Sequence, residues 1–199
     1  KPQEAAPAPN PLLAPSALPF QAPPWDKIKS GDFAPAFEAA IAQHDVEIAA
    51  IAADTAPPTF ENVLVALEKS GVTLTRVQYA FNTVTSANTD DTLQTVQEAV
   101  APKLSAHQDS IYLNATLFNR LETIYKNRAQ LKLDPESLRL VEYQYQQFVM
   151  AGAKLSDTVV EGLDEATEDI LALLEDPQRT DAWDRRGLVV GHVQSGKTS

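Results

Sequence analysis

Asp32-Phe33-Ala34-Pro35-Ala36-Phe37-Glu38-Ala39-Ala40-Ile41, continued by Ile48 and Ile51, is the stretch on which the fold turns. Its large apolar residues recur at three- and four-residue steps with alanine between them, the period of one helix face. Asp32 is placed to cap this helix, which is expected to run to about Ala53. The turn at residues 55–58, with Pro57 and Pro58, stops it, and Thr59 can cap the next helix. There Phe60, Val63, Leu64, Leu67, Leu74, Val77, Phe81 and Val84 keep the same period, and Gly71 is expected to loosen the helix locally. A third helical stretch begins near Asp90 and carries Leu93, Val96, Val100, Leu104, Ile111, Leu117, Leu121 and Ile124. Pro102 should start a new helix or bend this one. Asp134-Pro135-Glu136 is a helix start, with a capping carboxylate, a proline where no donor is needed, and an acid facing the positive end. The stripe Leu138, Val141, Tyr145, Phe148 and Val149 then runs to Gly152. The reading is a mainly α chain, an antiparallel helical bundle.

Outside this body the character changes at both ends. Eight prolines fall within residues 1–24 (Pro2, Pro7, Pro9, Pro11, Pro15, Pro19, Pro23 and Pro24), and proline lacks the amide donor a helix needs. Residues 1–10 read as a flexible leader. Leu12, Leu13, Leu18, Phe20 and Trp25 suggest an extended strip laid over the helices. After Asp157 comes one more helical pattern, Val159, Leu163, Ile170, Leu171 and Leu174, and then a short strand, Gly187-Leu188-Val189-Val190. Three regions are expected: a Pro-rich leader at 1–24, a helical domain at 25–157, and a helix, strand and loop at 158–199.

Composition narrows the function. Hydrophobic residues make up 44% and charged residues 22%, as in ordinary globular chains. Sixteen Lys and Arg against 27 Asp and Glu give a net charge of -11, which repels nucleic-acid phosphates and argues against a nucleic-acid partner. Without cysteine there is no disulfide, thiolate metal site or cysteine nucleophile. No apolar run approaches the roughly 20 residues that span a bilayer, so no membrane partner is expected.

The run Asn10-Pro11-Leu12-Leu13, Leu18-Pro19-Phe20, Trp25-Asp26-Lys27-Ile28 and residues 32–38 resembles the start of bacterial peptidyl-dipeptidases, or dipeptidyl carboxypeptidases, of the zinc oligopeptidase family. The likeness continues through Pro58-Thr59-Phe60-Glu61-Asn62, Ala66-Leu67-Glu68, Ser86-Ala87-Asn88-Thr89, residues 148–153 and Leu155-Ser156-Asp157. It implies a zinc metallopeptidase whose helical halves enclose a channel, admitting short peptides and releasing carboxyl-terminal dipeptides, in the periplasm or the cytoplasm. It also implies an HExxH helix, two histidines on zinc and a glutamate as general base. The 199 residues contain no HExxH: the histidines are His44, His107 and His192, and no catalytic or metal-ligating residue is expected in this chain. His44 and His107 read as surface histidines, and Glu61, Glu68, Glu122 and Asp109 as solvated helix faces. Removal of the rest of such an enzyme is expected to favour self-association through an exposed apolar face.

Gly191-His192-Val193-Gln194-Ser195-Gly196-Lys197-Thr198 fits the P-loop pattern GxxxxGK[ST] behind the apolar strand. Gly191 and Gly196 would let amides wrap phosphates, Ser195 lies in the loop, Lys197 would neutralise the terminal charge, and Thr198 would hold magnesium. Mg-ATP is the cofactor such a loop takes. With Trp183-Asp184-Arg185-Arg186, the segment resembles a P-loop ATPase family found with bacterial restriction and defence systems. Neither family normally continues into the other, so a natural fusion and a join of unrelated sequences after Asp157 both stay open. An ATP-binding protein and a helical interaction module are the alternatives to a peptidase.

Overall fold

The computed structural model describes residues 9–155, and they form a helical bundle. The strand and P-loop expected at 187–198, with Gly191, Ser195, Gly196, Lys197 and Thr198, lie outside the described residues.

Helix α1, Phe33–Ala53, has the expected limits. Its cap does not: the Asp32 carboxylate accepts from the Lys29 N–H at 2.8 Å and closes the short turn Ser30–Asp32 instead of receiving an α1 amide. After the proline turn, Thr59 and Asn62 cap reciprocally. The Thr59 hydroxyl accepts from the Asn62 N–H at 3.1 Å, and the Asn62 side chain accepts from the Thr59 N–H at 2.7 Å. They open a π turn, Phe60–Val65, in which the Ala66 N–H reaches back to the Glu61 carbonyl, and α2, Ala66–Lys69, completes it. Gly71 ends that run outright instead of loosening it: its φ of 67° lies in the left-handed region, and α3, Val72–Ala87, starts afresh.

Helix α4, Asp91–Tyr112, is capped by the Asp90 carboxylate on the Leu93 N–H at 2.7 Å. No new helix starts at Pro102: α4 runs through it, and the residue sits on the exposed face, where water can take the carbonyl bond that proline forfeits. The break falls at Asn114, whose side chain accepts from the Leu117 N–H at 3.0 Å and starts α5, Ala115–Asn127. The Asp134 carboxylate takes the Glu136 and Ser137 amides, both at 3.0 Å, and starts α6, Pro135–Met150, as expected. Among the described residues no helix is long and apolar enough to cross a membrane.

The buried residues fall into two clusters that share α1. One gathers Phe33, Ala36, Phe37 and Ala40 from its first half with α3, α4 and Leu12 of the leader. There Phe81 meets Phe33 and Phe37 edge-on at 5.1 and 5.3 Å. The other gathers Ile48, Ile51 and Ala52 from its second half with the π turn, α5 and α6. In it Phe148 of α6 is fully buried and meets Tyr112 edge-on at 5.0 Å. Each large side chain so buried contributes about 1.5–3 kcal/mol. Only part of the expected leader strip packs: Leu12 is buried and Leu13 half-buried, whereas Leu18, Trp25 and above all Phe20 face solvent.

Candidate functional site

Between the two cores the middle of α1 carries polar residues, and here the structure overturns the sequence reading of the histidines. His44 is half-buried and His107 of α4 is buried, 8% exposed. They are 63 residues apart, yet His107 Nε2 lies 2.9 Å from His44 Nδ1. At one end His107 Nδ1 is 2.9 Å from the Asp45 carboxylate; at the other, His44 Nε2 is 3.0 Å from the Ser70 hydroxyl, itself 2.7 Å from the Leu67 carbonyl. Two polar side chains inside an apolar contact between helices satisfy each other. Sequence position could not pair them, because the pairing depends on how α1 and α4 cross.

Gly71 makes room for this arrangement. A Cβ there would fall 2.7 Å from the His44 ring, and its backbone is one that side chains resist, so only glycine serves. Its N–H donates to the Glu47 carboxylate at 2.7 Å, tying the α2–α3 break to α1.

The chain of hydrogen bonds is satisfied at two proton counts. With both rings neutral, Ser70 donates to His44 Nε2, His44 Nδ1–H to His107 Nε2, and His107 Nδ1–H to Asp45. With one more proton, Ser70 turns to the Leu67 carbonyl, and His44 as an imidazolium donates from Nε2 to Ser70 and from Nδ1 to His107 Nε2, while His107 Nδ1–H still donates to Asp45. The chain therefore accepts one proton by turning the Ser70 hydroxyl. Burial, and then the neighbouring His107, hold the His44 imidazole below the ordinary histidine value, against the pull of Glu47 and Asp45.

His44, Ser70 and His107 open onto a cleft of about 320 Å³ between α1, α2, α3, α4 and α6. Gln78, Gln108 and Gln144 line it with amides, and Glu68 is its one acidic side chain, held by Gln144 at 2.6 Å. Burial, then Tyr143 and Glu68, push the Tyr112 phenol at its wall above the usual value. Such a lining suits a polar or peptide-like ligand through amide hydrogen bonds.

The other carboxylates stand apart from this chain. Glu61 and Asp109 are exposed, and Glu122 pairs with Lys126 at 2.8 Å. Among the described residues no group of three or more His, Asp or Glu could hold a metal ion, and the ring nitrogens of His44 and His107 already engage each other, Ser70 and Asp45. These residues do not fit zinc. A second polar anchor lies at the far end of α1, where the buried Arg120 of α5 donates to the Asp54 and Ala56 carbonyls and, at 3.1 Å, to the Asp54 carboxylate.

No family model matches the chain. Over 148 residues it is 47% identical to the dipeptidyl carboxypeptidase of Salmonella typhimurium, and over 147 residues 45% identical to that of Escherichia coli. Each match takes in 74% of this chain and 22% of the relative, so the chain spans about a fifth of the length of the curated relatives it matches.

Proposed function

We propose that, being 47% identical over 148 residues to one stretch of a dipeptidyl carboxypeptidase, this helical region does what that stretch does: it forms part of the wall of a peptidase channel. In this reading residues 25–157 are the helical domain, short peptides are the substrates, and carboxyl-terminal dipeptides are the products. The zinc and its HExxH helix are supplied by sequence other than these 199 residues, which contain no such motif. The region limits which peptides reach the metal, and it has no hydrolytic chemistry of its own. The amide-lined cleft beside His44 and Ser70 supports the reading, because glutamine side chains pair with a peptide backbone without demanding a particular sequence. A periplasmic or cytoplasmic setting goes with it.

The identity over those 148 residues carries the proposal, and a chimera tests it. This chain's matching residues replace the corresponding stretch of the Salmonella enzyme, and dipeptide release from short peptides is followed by mass spectrometry. The expected result is release within about tenfold of the parent's rate by the chimera, and none by the 199-residue chain alone. A folded chimera that releases nothing would sink the reading, as would chelator-sensitive hydrolysis by the chain alone. For residues 191–198, the motif itself is what supports a Mg-ATP site, through Gly191, Ser195, Gly196, Lys197 and Thr198.

A further inference from the structure

Helix α3 presents Val72, Thr75, Arg76, Tyr79 and Thr83 along one stripe, and the leader crosses beside it. The leader turn Pro19–Gln21, with Pro23 and Trp25, forms the other bank of a groove. Three independent features of this groove call for an occupant.

The first is charge. Among the groove's lining residues Arg76 is the one ionised side chain, and no carboxylate is among them. Its Nη1 is shielded from solvent and has no hydrogen-bond partner among the described residues. A guanidinium nitrogen withdrawn from water without an acceptor is costly, and a carboxylate is the acceptor that matches its fork. In a chain of net charge -11, an acid-free groove around one arginine is complementary to a carboxylate from elsewhere.

The second is exposed apolar surface. Phe20 is 104% exposed, Tyr79 71%, Val72 56% and Trp25 44%, and all four border the same groove. Large side chains clustered in this way mark an interface. The third is strain. Phe20 and Gln21 both take positive φ, 58° and 55°, a region that side chains disfavour. The turn holds Phe20 outward in that conformation with nothing packed against it.

We infer that the groove between the leader turn and α3 is the docking surface for the rest of the peptidase polypeptide, received through a segment that sets an Asp or Glu carboxylate on Arg76 among apolar side chains. More than three quarters of each relative's length lies beyond the matched stretch, ample to supply such a segment. The inference rests on the peptidase reading and adds to it which face of the helical region meets the remainder.

Hydroxyl-radical footprinting of Phe20, Trp25 and Tyr79 is compared between the full 199-residue chain and the Salmonella chimera. At least tenfold slower oxidation in the chimera is expected, and Arg76→Glu should restore reactivity there while leaving the free chain's footprint unchanged. Phe20→Ser is the second variant; because Phe20 is fully exposed in the chain alone, the change spares the isolated fold and should lower only the chimera's thermal midpoint. An active chimera whose Phe20 and Tyr79 react as fast as in the free chain overturns the docking surface and leaves the peptidase reading standing. Protection in an inactive chimera does the reverse. A chimera that neither folds nor protects overturns both, and concentration-dependent protection in the free chain would assign the groove to a second copy instead.

Discussion

The first half of α1 and its second half bury their faces in different company. Phe33, Ala36, Phe37 and Ala40 alternate large with small, so that α3 and α4 come close and Phe81 seats edge-on against two rings. Ile48, Ile51 and Ala52 instead meet the π turn, α5 and α6, a cluster filled by Phe118, Phe148 and Leu121. One cluster is closed by the leader's Leu12, the other by a whole helix. Where the two meet, His44 and Asp45 face His107, so the seam between the cores is polar and hydrogen-bonded while the centres are apolar. A single helix thus joins two cores through a polar hinge point, and the question is whether they unfold together.

The sharpest way to break the comparison is to empty one core at a time. Phe148→Ala in the second core and Phe37→Ala in the first should each cost about 3–5 kcal/mol, read from the denaturant midpoint. If α1 couples the cores, amide exchange in both accelerates with either variant. Exchange confined to the mutated core would show two independent units.

Next in size is the anchor at the end of α1. Arg120→Met keeps the bulk of the side chain but strips the Asp54 and Ala56 carbonyls of their donor. A loss of about 2–3 kcal/mol is expected in equilibrium unfolding, with the second core's exchange affected more than the first's. A loss near zero would mean that water replaces the guanidinium without penalty.

The smallest effect lies at the seam and is read against pH. The unfolded chain takes up a proton on His44 near pH 6.5, and the folded chain does so only at lower pH. Between those values the unfolded state holds more protons, so stability falls as pH drops through the window and recovers as pH rises. His107, Asp45 and Glu47 surround the ring and remain in place in His44→Gln, which should flatten this part of the midpoint-against-pH curve. An unchanged curve would show that His44 titrates in the folded chain as it does in the unfolded one.

Much of the helical order was legible, for reasons that differ along the chain. The 33–53 stripe gave α1 its limits because apolar spacing and the following prolines agree. Thr59 and Asp134 cap as expected, since short polar side chains before a helix have one good use. Pro102 starts no new helix, because its cost depends on which face it occupies, and periodicity alone drew attention away from Asn114. Of the candidate site almost nothing was legible. Its members come from α1, α4 and the Ser70-Gly71 break, and their meeting depends on helix crossing, which no local pattern encodes. The leader was half legible: Leu12 packs, while Phe20 is held outward by a backbone conformation that composition does not predict.

The π turn at Phe60–Val65 carries a consequence for the history of such chains. Its wider winding accommodates one residue more than an α turn would, and each residue of an α-helix advances the face by about 100°. A one-residue deletion inside the turn is taken up by tightening it to α pitch, with Thr59 and Asn62 still fixing where the helix begins. The same deletion in the middle of α1 would swing Ile48 and Ile51 away from the core they fill. Insertions and deletions among descendants of this fold should therefore collect at the π turn and spare α1, making the turn the place where the lineage adjusts its length.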